Sequence, residues 1–236
     1  MSIGNKIIKS AFKTLGLNIS RNGKKSASPI LYHNIELLFD VGANVGQYAM
    51  LSREEGYKGK IVSFEPLPVA YELLLKKSKN DYSWTVHERC AVGSNPSEAE
   101  INISENSYSS SLLPMLQAHA LAAPESVYIG KAKTKIISLD SIFNCYRKNN
   151  EKTFLKIDTQ GFESEVLKGL SENLKNIFAV QLELSIVPLY DNQETYQYFF
   201  TFFENNGFVL WSLIPGFTNS ITGQMLQFDA IFVRRA

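Results

Sequence analysis

Short apolar runs separated by polar turns recur along this chain, and their two periods predict an alternation of strands and helices. Leu37, Leu38, Phe39 and Val41 surround a lone acid, Asp40, with the near-continuous apolarity of a strand covered on both faces. Residues 47–55 then predict a helix, and Lys60 to Phe64 (KIVSF) a second strand, which completes a βαβ unit. Residues 69–77 (VAYELLLKK) turn Ala70, Leu73 and Leu74 inward on the next helix. Residues 83–90 (SWTVHERC) alternate as a third strand, and 153–157 (TFLKI) form a fourth that leads through Gly161 into a helix at 164–173. A fifth strand (178–185, FAVQLELS), an aromatic helix (195–204) read as core, and strands at 208–213 and 225–234 complete the pattern. No helical pattern separates the last two strands, so they are expected to pair antiparallel.

The alternation breaks between about residues 94 and 139. There AEINIS (99–104) and KTKIISL (133–139) predict an inserted β-ribbon, with a serine-rich stretch and a long connection between its strands. That connection is long enough to serve as a lid or an acceptor-binding surface. Asp140 is the expected N-cap of the helix after it. Near the start, Ile3, Ile7, Ile8, Phe12 and Leu15 share a helical face, with lysines elsewhere. This basic amphipathic appendage, residues 1–30, packs on the domain or lies on an anionic membrane surface; both readings stand. The expected organisation is therefore the appendage followed by one α/β domain over 31–236.

Composition narrows the partners. The 236 residues are 44% apolar and 12% aromatic, enough to fill one domain core. Against 24 Lys plus Arg stand 23 Asp plus Glu, and a net charge of +1 gives no field for holding nucleic acid. The two cysteines, Cys90 and Cys145, form no CxxC pair and no cluster with the three histidines, which fits a reduced, cytoplasmic protein. No run reaches the roughly 18 apolar residues of a membrane span, and the first residues lack a signal peptide's apolar core. A soluble chain is expected.

The chemistry gathers at strand ends. Gly42 and Gly46 bracket a turn between the first strand and its helix, which reads either as a cofactor cradle with free N–H groups or as an ordinary glycine turn. Glu65 ends the second strand about 20 residues on, where an acid can accept both hydroxyls of a bound ribose. Cys90, Ala91 and Val92 are candidates to border an adenine ring. The alternative reading for Glu65 is an exposed loop acid, and for the other three a tight turn. A dinucleotide enzyme needs a glycine where this chain has Asn44, so GxxxG replaces GxGxxG and pyrophosphate is disfavoured. Asp40 suits the ammonium end of S-adenosylmethionine better than a diphosphate. Asp158 ends the fourth strand and Glu183 lies near the end of the fifth, both in the expected substrate crevice.

The motifs FDVGANVGQYA (39–49), SFEP (63–66), CAVG (90–93), SSSLL (109–113), LKIDTQGFESEVLKG (155–169) and VQLELSIVPLY (180–190) resemble those of the FkbM-type S-adenosylmethionine-dependent methyltransferases. The resemblance covers about residues 35–235. It implies the class I methyltransferase fold, a Rossmann-like, mostly parallel seven-stranded sheet with an antiparallel last strand. It also implies S-adenosyl-L-methionine as cofactor and O-methylation of a hydroxyl on a sugar, glycolipid, polysaccharide or polyketide-like product. It would place Asp40, Gly42, Asn44, Gly46 and Gln47 around the methionine part, with Ala43 and Tyr48 in the same set. Glu65 and Pro66 would lie at the ribose, Ala91 and Val92 with Cys90 at the adenine, and Asp158 facing the methyl. Asp158 is the expected acceptor-positioning group or base, with Glu183, Glu163 and His119 in reserve. The bland roles are loop capping for Asp158, a helix start for Glu163, a paired Glu183 and a surface His119. No metal is assigned, although Asp158 and Glu183 on neighbouring strands keep magnesium as an alternative. A non-catalytic cofactor-binding protein and an NAD-dependent oxidoreductase are the competing functions.

Overall fold

The computed structural model describes residues 28–148 and 150–235. The candidate helix at 3–17 lies outside them. A short helix, α1 (Pro29–Tyr32), leads into β1 (Leu37–Val41), every residue of which is buried. The chain continues through α2 (Gln47–Glu54), β2 (Lys60–Phe64), α3 (Pro68–Ser78) and β3 (Trp84–Val86). It then forms β4 (Ala91–Val92), β5 (Ser97–Ser104), α4 (Gln117–Ala122), β6 (Tyr128–Ile137) and α5 (Leu139–Tyr146). The last elements are β7 (Thr153–Ile157), α6 (Glu163–Lys168), β8 (Ile177–Ser185), α7 (Tyr196–Asn205), β9 (Phe208–Pro215) and β10 (Gln227–Arg234).

Seven strands form one sheet in the order β3-β2-β1-β7-β8-β10-β9. The first five pair in parallel, and β10 runs antiparallel to both β8 and β9. This is the class I methyltransferase arrangement. Side chains alternate across β1: Phe39 joins Phe64, Phe143 and Leu155 in one layer, while Leu38 joins Ile61, Phe154 and Trp84 in the other. Phe199 and Phe203 of α7 are buried in the first layer, as expected of a core stripe. The chain leaves β1 toward β2 on one side and reaches β7 on the other, so the strand order reverses between β1 and β7 and opens a crevice at their carboxyl ends.

Four expectations need correction, the first being Leu73, which α3 leaves exposed while Ala70 and Leu74 are buried. The third strand is shorter than predicted, because the chain leaves the large sheet after Val86 and Ala91–Val92 pairs with Ile136–Ile137 in a second sheet of order β4-β6-β5. The helix after Gly161 ends at Lys168. Gly169 packs so tightly on Gly93 that a Cβ there would lie 2.0 Å from the Gly93 carbonyl oxygen. Asp140 is not an N-cap: α5 starts from Ser138, and the Asp140 carboxylate accepts N–H groups from Glu172 and Asn173 at 3.0 Å each. The ribbon itself is present, with β5 and β6 antiparallel from Ser97↔Ile136 to Ser104↔Tyr128.

Candidate active site

The crevice is a cleft of about 850 Å³, its open mouth included. Gly42 and Asn44 form its floor after β1, and Glu65 with Pro66 and Leu67 one wall after β2. Cys90, Ala91 and Val92 with Phe162 make an apolar slot, and Asp158, Thr159, Gln160 and Glu183 close the other end. The ribbon supplies the roof through Ile101, Ser107, Tyr108, Ser110 and Leu112.

Gly42 holds φ at +73°, and a Cβ on it would lie 1.8 Å from the backbone oxygen of Asp158, so the two strand-end loops touch through their main chains. The loop is not an anion cradle. Gly42 and Ala43 donate their N–H groups to Phe64 O, Gly46 to Ala43 O, and Val45 to Asn44 Oδ1. Asn44, itself at φ +47°, donates its N–H to Glu65 Oε2 at 2.7 Å. Every N–H from Gly42 to Gly46 is therefore satisfied within the protein, which corrects the expected free donors. Gly46 is a packing glycine, since a Cβ there would strike Trp84 and Leu74 at 2.8–2.9 Å.

Glu65 is 3% exposed and accepts a second N–H, from Leu67, at 2.8 Å through Oε1. Burial raises its carboxyl to about 7, with the two N–H donors and Lys156 pulling back. Each oxygen keeps a lone pair for a ligand hydroxyl.

A polar row crosses the sheet beneath the cleft. Asp40 lies opposite Ser63 on β2 and Lys156 on β7, and Lys156 lies opposite Gln181 on β8. Trp84 Nε1 donates to Ser63 Oγ at 2.9 Å and Ser63 Oγ donates to Asp40 Oδ2 at 3.3 Å. Tyr48 donates to Gln181 Oε1, and Gln181 Nε2 donates to Asp229. Lys156 sits at the centre, its side chain 9% exposed, 3.5 Å from Asp40 Oδ1 and 3.4 Å from Asp158 Oδ2, and it donates to Gly42 O at 3.2 Å. The Asp40 contact is an ion pair without hydrogen-bond geometry, which leaves Oδ1 with no hydrogen-bond partner. Burial raises the Asp40 carboxyl, opposed by Lys156. Burial would by itself lower the Lys156 ammonium, but Asp158 and Asp40 hold it above its ordinary range.

At the closed end, Gln160 Nε2 donates to Asp158 Oδ1 at 2.8 Å and to Glu183 Oε2 at 2.7 Å. Gln160 is held at φ +54° by these bonds, by the Tyr190 hydroxyl donating to its Oε1, and by Ser111 Oγ donating to its carbonyl. Burial pushes the Glu183 carboxyl well above its ordinary range, and the charges of Asp158, Asp229 and Glu163 add to the shift.

Of the residues expected in the site, Gly42, Asn44, Glu65, Pro66, Cys90, Ala91, Val92, Asp158 and Glu183 line the cleft. Asp40, Ala43, Gly46, Gln47 and Tyr48 do not. Glu163 is buried and spends Oε1 on the N–H groups of Thr159 and Gly161 and on the Thr159 hydroxyl, so it shapes the loop and faces away from the cleft. His119 is no surface residue: it is buried against Tyr190 and Phe217, away from the cleft. Lys156 and Gln160, with the cleft-lining Tyr108, Thr159 and Phe162, are residues that sequence reasoning missed. A lysine inside a five-residue buried strand, and a glutamine just before a turn glycine, were the available signals. Among the described residues no group of three or more His, Cys, Asp or Glu is placed to hold a metal.

Residues 40–210 match the family model of the methyltransferase FkbM domain. The chain belongs to the FkbM methyltransferase domain family. The cofactor of the FkbM domain is S-adenosylmethionine, and the cleft offers a buried acid with free lone pairs, an apolar slot and no diphosphate cradle. A hexuronic acid methyltransferase of Haloferax volcanii, AglP, is 25% identical over 149 residues, 63% of this chain and 56% of that protein. The chain thus spans about half the length of the curated relative it matches. Among solved structures, magnesium protoporphyrin IX methyltransferase from Synechocystis PCC 6803 aligns with 100% of this chain and 99% of its own at 11% identity and a TM-score of 0.48. Fibrillarin of Aeropyrum pernix aligns with 84% of this chain and 66% of its own at 10% identity and a TM-score of 0.47. No helix among the described residues is long and apolar enough to cross a membrane.

Proposed function

We propose that this chain is an S-adenosylmethionine-dependent O-methyltransferase acting on a sugar hydroxyl of a glycan, glycolipid or sugar-bearing natural product. The observation that carries the reading is the pair of carboxylates, Asp158 and Glu183, held by one Gln160 amide at the end of a cleft whose wall carries Glu65. The relative's action on a hexuronic acid supports a sugar acceptor.

In this reading Glu65 accepts the ribose hydroxyls, Cys90, Ala91, Val92 and Phe162 enclose the adenine, and Gly42 with Asn44 border the methionine part. Asp40 acts at one remove, through Lys156. When bound, the cofactor supplies a methyl carbon activated by a positive sulfonium. With the cofactor so held, methyl transfer to the acceptor oxygen would release the hydroxyl proton, and Asp158 would take it. Gln160 and Lys156 fix the two Asp158 oxygens in place for this step, at 2.8 and 3.4 Å. Alignment of the reacting atoms supplies much of the acceleration, and proton removal a further ~10²–10⁴-fold.

Titration calorimetry with S-adenosylmethionine and NAD tests the pocket: binding of the first and not the second is expected, and the reverse refutes the reading. Transfer of labelled methyl from the cofactor to a host extract, with identification of the labelled product, tests the acceptor. Tight cofactor binding with no labelled product in any extract favours a non-catalytic role.

A further inference from the structure

The cleft has a one-sided charge. Glu65, Asp158 and Glu183 are its acidic lining residues, and no Arg, Lys or His lines it among the described residues. Lys156 lies behind Asp158 and is committed to Asp40, Asp158 and the Gly42 carbonyl. Of the amide donors, Gln160 Nε2 is spent on the two acids, and Asn44 Nδ2 gives one of its two hydrogens to Ser107 Oγ at 3.4 Å. The field at the closed end is negative enough to add to the burial that raises the Glu183 carboxyl. A second negative group entering there meets the same field. A protonated Glu183 offers it one O–H, where a carboxylate needs several donors.

What the cleft offers a ligand is the complement of this. Carboxylate oxygens accept hydroxyl donors, and the ring of Tyr108, 62% exposed at the roof, gives a flat apolar face. Hydroxyl donors on one edge and C–H groups on one face describe an uncharged pyranose ring.

We propose that the acceptor is a neutral sugar, not a uronic acid, so that this chain differs in substrate charge from its hexuronic acid-methylating relative. The proposal rests on the methyltransferase reading above. The purified full chain is assayed with labelled S-adenosylmethionine against matched methyl glycosides, each neutral pyranoside beside its 6-carboxylate counterpart. At least one neutral glycoside is expected to exceed its uronide in kcat/KM by about 100-fold, the factor carried by a like charge at ~6 Å in a medium of effective dielectric constant ~20. Tyr108→Ala is expected to raise KM for that glycoside about tenfold, with cofactor affinity unchanged, as loss of one stacking face predicts. Equal or preferred use of the uronide overturns the proposal. So does transfer only to acceptors that are not sugars. In both cases cofactor binding and methyl transfer persist and the methyltransferase reading stands, whereas absence of cofactor binding by calorimetry overturns both.

Discussion

Replacing Lys156 by methionine keeps the volume of the side chain and removes the only positive charge that faces Asp40 among the described residues. Asp40 has 0% exposure and keeps one hydrogen bond, the 3.3 Å donation from Ser63. Breaking a buried pair by removing one partner costs about 3–5 kcal/mol. At about 2–4 °C per kcal/mol for a domain of this size, Tm falls by about 6–20 °C near neutral pH. The pH dependence has a definite sign. Burial raises the Asp40 carboxyl above its ordinary 3.8, and Lys156 opposes the rise, so the variant's Asp40 titrates higher still. The proton it binds in the folded state stabilises the fold fully below 3.8, and that contribution is lost as pH rises. The deficit relative to the parent is therefore smallest near pH 4 and grows toward pH 8. Adding Asp40→Asn removes the stranded charge and recovers most of the loss. Circular dichroism melts of the three proteins between pH 4.5 and 8 measure this. A deficit that does not vary with pH, or a double variant no more stable than Lys156→Met, refutes the reasoning.

Asp158→Asn is expected to lower methyl transfer by ~10²–10⁴-fold with cofactor affinity within a few-fold, read by labelled-methyl turnover and calorimetry; near-normal turnover removes Asp158 from the proton step. Glu65 has a folded value of about 7 against an ordinary 4.5, so its contribution to stability is present below 4.5 and lost as pH rises through 7. Glu65→Gln should flatten denaturant-measured stability over that window by up to about 3 kcal/mol, and weaken cofactor binding about tenfold or more. Gly42→Ala sets a Cβ against Asp158 O at φ +73°, and is expected to cost at least about 1–3 kcal/mol in chemical denaturation. Gln160→Leu strips Asp158 and Glu183 of their shared donor, and activity should fall while stability drops by about 1–3 kcal/mol.

The central strands were legible because their patterns have few competing explanations. Leu37–Val41, Lys60–Phe64 and Thr153–Ile157 are apolar runs at strand length, and their observed ends coincide with the expected ones. Glu65 and Asp158 were legible for a related reason, since an acid just past a buried strand has few places to go. The third strand was not, because alternation continues through His87 to Cys90 while the chain has already turned toward the second sheet. Alternation reports a half-buried ribbon, not which sheet it joins. The row of Ser63, Asp40, Lys156 and Gln181 was out of reach for another reason. Its members lie on four strands and meet only through register, which no local window contains. The loop between β1 and α2 misled in the opposite direction: its glycines suggested an open cradle, yet the N–H groups are consumed by Phe64, Ala43 and two side chains.

The contact between Gly42 and the Asp158 carbonyl has an engineering consequence. The segment proposed to border the cofactor and the segment that carries the proposed base, Asp158, share one main-chain joint, further pinned by Lys156. Neither can be retuned alone, so a library that reshapes the β1 or β7 loop will trade cofactor affinity against turnover at each step. The ribbon roof meets that joint through Ser111 on Gln160, Asn44 on Ser107 and the packing of Val45 in one apolar cluster with Ile101, Ile103 and Leu112. Exchange of acceptors between relatives should therefore proceed by swapping residues 105–116 as a cassette, with both glycine loops left as they are.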